Sequence, residues 1–470
     1  MTAGVLPSRS RDQQRMHEGT AISSWHNRAT RELLRLAWPV AVSMLSYSCM
    51  TLVDTMFVSS LGASALAGVG VATIITYPLI GFPTGLMHGV KVLVSQAAGA
   101  GRRDQAGAYL GAGLALALVC GALMLVLVRE LAPLLARLSA SQAAAEHAQQ
   151  YLCIRMLGAP VLFAFFALRE TSYGKGNARA PMIASISANI VNVIGDYLFV
   201  VVWDLGVAGV AWSSVAAVCV EAALLFGVER RLVQAVRSTR VVHVVAVIRV
   251  GLPTAGQYVL EVSAFSVLTA MIAAMAEAQM AAHQLVLHVL HVAFLPASAI
   301  AEAGAVLVGQ AVGGKREDLV PHVARRALWM AGSYAVLCMI VSRLGAPWLI
   351  RRVIDDPVVS ATATDIIGAA SLFLIGDAIN LVARGVLRGV GDVRHTALVG
   401  IVFAWLVTPP LTWLLGFHAG MQARGGWIAL CIEVTAGAAI LWWRIGRGSW
   451  RTAASRTRDI MSQTDNRPPG

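Results

Sequence analysis

Six ionisable side chains interrupt stretches of sequence that are otherwise apolar. They are Asp54, Lys91, Asp196, Glu261, Glu302 and Asp377. A charge within a membrane-spanning stretch costs at least a few kcal/mol, so such residues are the first candidates for function. Desolvation favours the protonated form of a buried carboxyl group, and carboxylate and amide oxygens can also hold Na⁺. The chemistry that these residues predict is therefore the binding and release of a small cation.

The elements that position these side chains are predicted to be membrane-spanning helices. The chain is 57% hydrophobic and 13% charged, with a mean hydropathy of +0.68. An apolar run of about 20 residues crosses the hydrocarbon layer. Twelve such runs are predicted, and the second and eighth are long enough to require tilt or to extend beyond the bilayer. The predicted spans are 33–58, 66–97, 106–128, 150–169, 180–203, 207–228, 247–275, 279–313, 323–344, 363–388, 395–416 and 425–447.

The basic residues that give the net charge of +12 are unevenly distributed along the sequence. Lys and Arg are concentrated before the first span, in alternate connections and after the last span, which is the positive-inside pattern. This pattern predicts a multi-pass protein of the cytoplasmic (inner) membrane with both termini in the cytoplasm. Basic loops also attract anionic lipids, so membrane lipids rather than nucleic acids are the expected partners. The six cysteines occur singly and without metal-ligand spacing, so we interpret them as packing residues.

The sequence contains an internal repeat. "LAWP" at 36–39 aligns with "VGLP" at 250–253, "LVSQAAG" at 93–99 with "LVGQAVG" at 307–313, and "GKGN" at 174–177 with "GVGD" at 389–392. An offset that stays nearly constant over so long a stretch indicates duplication. Six helices per copy give two lobes of the same orientation, and such lobes facing a central cleft are typical of alternating-access transporters. The predicted parts are a tail (1–32), an N-lobe (33–228), a connector (229–246), a C-lobe (247–447) and a second tail (448–470).

Ordered motifs in both lobes resemble the multidrug and toxic compound extrusion (MATE) family from about Leu33 to Arg447. The motifs include "LAWPVAVSMLSYSCMTLVDTMFVSSLGASALAGVG", "LVSQAAGAGRRDQA", "GLPTAGQYVLEVSAFSV", "AAHQ", "LVGQAVGG" and "LRGVGD". The resemblance implies an all-α secondary antiporter that exports organic, cationic and amphipathic compounds in exchange for inward H⁺ or Na⁺. It implies no cofactor besides that ion and no enzymatic activity. We expect a monomer.

Two groups of acids are candidates for ion coupling. Asp54 lies about 28 Å along its helix from Arg35, and Asp196 about 25 Å from Arg179, so the two can meet at one level. Asn192 lies one turn before Asp196. The resemblance matches these three residues to the coupling site of the DinF-like group, and a polar cluster that only joins two helices is the structural alternative.

Glu261 and Asp377 form the second group, at about 18 Å and 16 Å from the nearest basic residue. The resemblance matches them to acids of the NorM-type branch that are associated with ion coupling and cationic substrates. A structural hydrogen-bonded pair is the alternative. The sequence leaves open which lobe couples transport to the ion.

Lys91 stands at a repeat position where the second copy has Ala305, and His88 stands where the second copy has Glu302. Because Lys91 lies about 16 Å deep, it can bridge to Glu261 or Asp377 as a gate, or extend towards the cytoplasm along its own helix. Further candidates for the cleft or gate are Tyr47, Tyr258, His283 and Gln284. His288 and His291 share a helix face, but a metal site would need a further ligand, so we predict no metal site beyond a possible Na⁺ at Asp54, Asn192 and Asp196.

Two other functions are compatible with parts of the sequence. A lipid-linked oligosaccharide flippase of the same superfamily would favour arginines in the cleft for a pyrophosphate, whereas the internal charges are mostly acidic. A membrane-embedded acyltransferase would need a His and an acid in one site and would not predict a repeat along the whole chain. No Walker or GxGxxG motif is present, which argues against ATP as the energy source.

Overall fold

The computed structural model describes residues 25–139, 141–229 and 232–465, and every regular element within these ranges is helical. Eleven helices are long and apolar enough to cross a membrane. A bent pair of shorter helices makes a twelfth span if its two parts are counted together. The prediction of an all-α, multi-pass membrane protein is confirmed.

The helices of the first half are α1 (Trp25–Ser60), α2 (Ala63–Gly99), α3 (Arg103–Leu138), α4 (Gln142–Leu157), α5 (Ala159–Gly174), α6 (Arg179–Asp196), α7 (Gly206–Val228) and α8 (Leu232–Arg237). Those of the second half are α9 (Val241–Ala273), α10 (Glu277–Gly313), α11 (Val320–Val353), α12 (Pro357–Gly389), α13 (Val393–Leu406), α14 (Thr408–Thr412), α15 (Gln422–Gly446) and α16 (Arg451–Asp465). Helices α2 and α10 are each 37 residues long. This length agrees with the expectation that these two spans are the longest.

The fourth predicted span, 150–169, was wrong in its bounds and in its shape. The structure has two helices there, α4 and α5, which are bent by 50° at a break. Gly158 caps α4, and Pro160 lies in the first turn of α5, where its missing N–H costs no hydrogen bond. The second helix continues to Gly174, so Glu170, which lay just beyond the predicted span, is inside a helix.

The backbone repeats with the sequence. A π-helical turn at Tyr197–Val202 has its counterpart at Trp413–His418 in the second half. Backbone φ angles are positive at Gly176 (80°) and Gly391 (90°), which occupy the matching "GKGN" and "GVGD" turns. A second matched pair is Gly101 (72°) with Lys315 (58°). The duplication inferred from the sequence is thus present in the geometry of the turns.

The chain divides into two compact units. Unit 1 contains residues up to 41, 99–101 and 256–462, and unit 2 contains 42–98, 102–255 and the residues from 463. The divisions at 41/42 and 255/256 fall inside α1 and α9, whereas the predicted lobe boundary lay in the connector 229–246. The predicted lobe bounds therefore stay a prediction.

Glycines explain why the first turns of α9 belong to unit 2. A Cβ at Gly251 would lie 2.2 Å from the carbonyl oxygen of Leu86, and a Cβ at Gly89 would lie 2.6 Å from that of Val247. Helices α2 and α9 therefore touch backbone to backbone, which only residues without a side chain allow.

Residues 451–465, within the predicted C-terminal tail, form helix α16. In unit 1, Arg458 of this helix pairs with Glu317. In unit 2, Thr464 accepts a hydrogen bond of 2.6 Å from the amide of Gln105. Each of these two contacts lies within one unit.

Candidate functional site

The residues predicted to couple transport to an ion meet in unit 2. Asp54 on α1 lies beside Asn192 and Asp196 on α6, with its carboxyl group close enough to that of Asp196 for a hydrogen bond. Asn192 and Asp196 are fully buried, and Asp54 is half-buried. The expected convergence of α1 and α6 at these residues is present in the structure.

Two serines of α7 complete this group. Ser214 donates a hydrogen bond of 3.0 Å to Oδ2 of Asp54. Ser213 donates to Oδ1 of Asp196 and accepts a bond of 3.2 Å from the amide of Asn192. We name the set Asp54, Asn192, Asp196, Ser213 and Ser214 the outer cluster.

The sequence of α6 places its polar residues on one helix face. Ser185, Asn189, Asn192 and Asp196 are separated by four, three and four residues, which is the spacing of one face. Gly195 brings α7 close, because a Cβ at Gly195 would lie 2.9 Å from the Cβ of Ser213. A small residue at this position is what lets the serines of α7 reach the acids.

The outer cluster has more acceptors than donors. Oδ1 of Asp54, Oδ1 of Asn192 and Oδ2 of Asp196 are buried, and no hydrogen-bond donor among the described residues reaches them. Buried acceptors without donors cost free energy, and two ionised carboxylates side by side repel each other. A proton shared by the two carboxyl groups, or a small cation among the three oxygens, removes both costs.

A second polar group lies further along the same helices, nearer the N-termini of α1 and α6 and the C-terminus of α7. Ser185 donates to Glu221 at 2.7 Å and shares a hydrogen bond of 2.9 Å with Ser43. Between the two groups, the amide of Asn189 donates to the carbonyl oxygen of Ser46 at 2.7 Å. Polar contacts therefore join α1, α6 and α7 along much of their length in unit 2.

Lys91 has a partner that the sequence analysis did not name. Its Nζ lies 3.1 Å from Oε2 of Glu170, and the two side chains are 5% and 2% exposed. Glu170 also pairs with Arg169 at 2.9 Å, and the guanidinium of Arg169 lies over the ring of Phe166. Because α5 continues to Gly174, Glu170 lies against α2 and forms this ion pair within unit 2. A bridge from Lys91 to Glu261 or Asp377 stays a prediction.

His88 is one turn before Lys91 and is buried. Its Nδ1 lies 2.9 Å from the carbonyl oxygen of Thr84, a contact within its own helix. At the repeat-related position, Glu302 on α10 is half-buried.

The acids of unit 1 differ in how they are paired. Glu261 on α9 forms an ion pair of 2.9 Å with Arg384 on α12 and accepts a hydrogen bond of 2.8 Å from Gln257. Asp377, also on α12, lies near Arg384 and Glu433 but accepts no hydrogen bond from the described residues. Glu261 is therefore already paired with a positive charge, whereas none of the described residues donates a hydrogen bond to Asp377.

The remaining predicted residues occupy different surroundings. His283 is fully buried between Phe265 and Trp427, which is the environment of a packing residue. Gln284, one position further, is half-buried. Tyr47 is 50% exposed, and the ring of Tyr258 carries the guanidinium of Arg388 at 5.7 Å.

Sequence reasoning missed three buried charges of unit 2, namely Arg155, Glu170 and Glu221. They lie two, four and seven residues before the last residues of their helices, close to helix ends where charges are normally solvated. Arg169 and Arg384 are 215 residues apart, the offset that also separates "GKGN" from "GVGD", and this repeated arginine was the available signal for an acid beside it in each copy.

Comparisons with known proteins cover both halves of the chain. The MatE family model matches residues 39–198 and 253–414. The probable multidrug resistance protein NorM of Pseudomonas syringae pv. tomato is 30% identical over 445 residues, covering 90% of this chain and 95% of that protein. Its counterpart of the same description in Deinococcus radiodurans is 31% identical over 438 residues, covering 91% and 96%.

Solved structures share the fold. A MOP superfamily transporter from Pyrococcus furiosus gives a TM-score of 0.82 at 18% identity, over 97% of this chain and 99% of that one. A multidrug resistance MATE family transporter in an outward-facing conformation gives the same values. At this identity the likeness concerns the fold alone, and it extends over nearly the full chain.

Proposed function

This chain belongs to the multidrug and toxic compound extrusion (MATE) family of efflux transporters, and from that premise we propose that it is a secondary antiporter coupled to H⁺ or Na⁺. It exports organic, cationic and amphipathic compounds while the coupling ion moves inward. It lies in the cytoplasmic membrane as a monomer among lipids, with both termini in the cytoplasm. No enzymatic step is required, because the family moves its substrates rather than converting them.

The observation that supports this proposal is that the outer cluster contains buried oxygens that accept no hydrogen bond within the described part of the chain. Three buried oxygens, from Asp54, Asn192 and Asp196, lack a hydrogen-bond donor among the described residues. A cation at this position completes the cluster, and its departure restores the repulsion between the two carboxylates. A coupling ion shifts a conformational equilibrium by binding one conformation more tightly than the other, and we expect the conformation that brings these oxygens together to bind it more tightly.

The outer cluster is a better coupling site than the acids of unit 1. Glu261 is neutralised by Arg384 at 2.9 Å, so binding a proton or Na⁺ there would compete with a fixed cation. Asp377 has no such bond and offers a carboxylate to a positively charged amine. We therefore assign ion coupling to unit 2 and attraction of the cationic substrate to Asp377.

Efflux from proteoliposomes tests this assignment. A fluorescent cationic dye is loaded, and its efflux is followed under an imposed pH gradient and then under an imposed Na⁺ gradient. We expect Asp54→Asn and Asp196→Asn to abolish the response to whichever gradient drives the wild type. Asp365→Asn is the matched control, because Asp365 is an exposed acid paired only with the exposed Arg424.

The outcomes separate the alternatives. No gradient-driven efflux by the wild type would contradict an antiporter. Undiminished efflux by both Asp54→Asn and Asp196→Asn, with the proteins inserted at wild-type levels, would instead move the coupling site away from the outer cluster.

A further inference from the structure

A buried arginine lies beside the outer cluster without an acid of its own. Arg155 on α4 is 7% exposed, and its Nη1 is buried without a hydrogen-bond acceptor among the described residues. Arg155 lies in the last turn of α4, which packs against α7 beside Ser214, because a Cβ at Gly158 would lie 3.1 Å from the side chain of Val215. A buried guanidinium that is not paired is costly, so its position requires an explanation.

Charged and titratable groups face Arg155 from two neighbouring helices besides its own. Asp54 and Tyr47, two turns apart on α1, lie within electrostatic range of the guanidinium. Glu221 on α7 also lies within electrostatic range of the Arg155 guanidinium. Ser214, two turns before Glu221 on the same helix, donates a hydrogen bond to Asp54. Arg155 thus faces both the outer cluster and Glu221 while bonding to neither carboxylate.

The other two bases of this interior are already engaged. Lys91 and Arg169 both pair with Glu170, and Arg169 also lies within range of Glu221. Counted over the described interior of unit 2, three bases (Lys91, Arg155 and Arg169) face four acids (Asp54, Glu170, Asp196 and Glu221). One added cation makes this set neutral.

We propose that Arg155 is a fixed counter-ion of the Asp54 and Asp196 pair, limiting it to one bound cation at a time and promoting the release of that cation. The inference rests on the proposed coupling role of the outer cluster. Its physical basis is repulsion between the guanidinium and the bound ion, which is strong in the low-dielectric interior. Arg155 acts through the two acids and is therefore a positioning residue of the transport reaction.

The charge of Arg155 also explains why the site can be emptied. Two carboxylates in a buried cluster without a neighbouring base would retain a cation through much of the transport cycle. A fixed base that faces the cluster lowers the affinity for the ion without competing for the same oxygens. Release towards the cytoplasm then needs a smaller change in the surroundings of the acids.

The test measures gradient-driven dye efflux from proteoliposomes as a function of coupling-ion concentration. We expect Arg155→Gln to reach half-maximal efflux at an ion concentration about tenfold lower than the wild type, with a lower maximal rate because release is slower. Arg155→Lys keeps the charge and should restore the wild-type midpoint. Single occupancy predicts a hyperbolic dependence on ion concentration in the wild type.

Glu221→Gln gives a second, opposite test. Removing this acid leaves Arg155 less neutralised, so the midpoint should move to a higher ion concentration. This variant keeps the proposal testable if Arg155→Gln does not insert into the membrane.

Opposite shifts in Arg155→Gln and Glu221→Gln support the counter-ion role. An unchanged midpoint in a folded Arg155→Gln protein, equal effects of Gln and Lys, or a sigmoidal wild-type response would overturn it. A wild type that responds to neither a pH nor a Na⁺ gradient would contradict the antiporter function itself. A wild type that does respond, with variants whose half-maximal ion concentration is unchanged, would contradict only the role of Arg155.

Discussion

Lys91 and Glu170 form an ion pair of 3.1 Å in which both side chains are almost completely buried. Arg169 adds a second base to the same carboxylate at 2.9 Å. Glu170 is therefore paired with two basic side chains. Replacing Glu170 should destabilise the protein more than replacing either base.

Glu170→Gln is predicted to destabilise the protein more than Lys91→Met. The first change removes the acid that pairs with the buried Lys91 and the partly exposed Arg169, and breaking a buried pair in this way costs about 3–5 kcal/mol. The second leaves Glu170 paired with Arg169. Thermal unfolding in detergent gives the order, with Glu229→Gln as control, because its partner Lys175 is 35% exposed and a pair at the surface contributes about 0–1 kcal/mol. Equal midpoints for Glu170→Gln and Glu229→Gln would refute the structural role of the pair.

Ser214→Ala is predicted to change how strongly the outer cluster holds the coupling ion. The hydroxyl donates to Asp54 at 3.0 Å, and a hydrogen bond to a charged group contributes about 1.5–3 kcal/mol. Without it the ionised carboxylate is less stable and takes up a proton more readily, so half-maximal efflux driven by a pH gradient should occur at a lower proton concentration. Ser59→Ala is the control, since Ser59 is exposed and its hydroxyl donates to the carbonyl oxygen of Met56. A midpoint equal to that of the wild type would exclude this contribution.

Asp377→Asn and Glu261→Gln are predicted to have different effects. Asp377 accepts no hydrogen bond from the described residues, so its replacement should leave the unfolding midpoint nearly unchanged and raise the KM for a cationic dye. Glu261 neutralises Arg384 at 2.9 Å, so Glu261→Gln should lower the unfolding midpoint as well. The comparison needs only efflux kinetics and thermal unfolding of the two purified variants. The same stability loss in both would show that Asp377 has a structural partner.

Gly195→Ala is predicted to impair transport and stability together. The added Cβ would lie 2.9 Å from that of Ser213 and would push α7 away from the acids of α6. Gly227→Ala, on α7, meets nothing within 4 Å and should stabilise its helix by about 0.5–1 kcal/mol. Measurements of unfolding midpoint and ion-driven efflux on both variants distinguish close packing from a general effect of replacing glycine. Normal coupling in Gly195→Ala would contradict the need for close approach.

The sequence by itself determined the class of the protein, the duplication and the pair Asp54 and Asp196. Hydropathy is a local property of the chain, and a repeat is visible in one dimension, so neither needs a structure. The meeting of Asp54 and Asp196 was predictable because counting residues along the two helices places both acids at one depth. The serines that complete the outer cluster, Ser213 and Ser214, were not predicted.

Only the tertiary structure decided which charges pair. Arg384 and Glu261 are 123 residues apart, and Asp54 and Ser214 are 160 residues apart. Such contacts depend on how helices rotate and where they bend, which hydropathy does not encode. The break at Gly158 extends α5 to Gly174 and gives Lys91 its partner, and the same fold leaves Arg155 buried beside the outer cluster without an acid of its own.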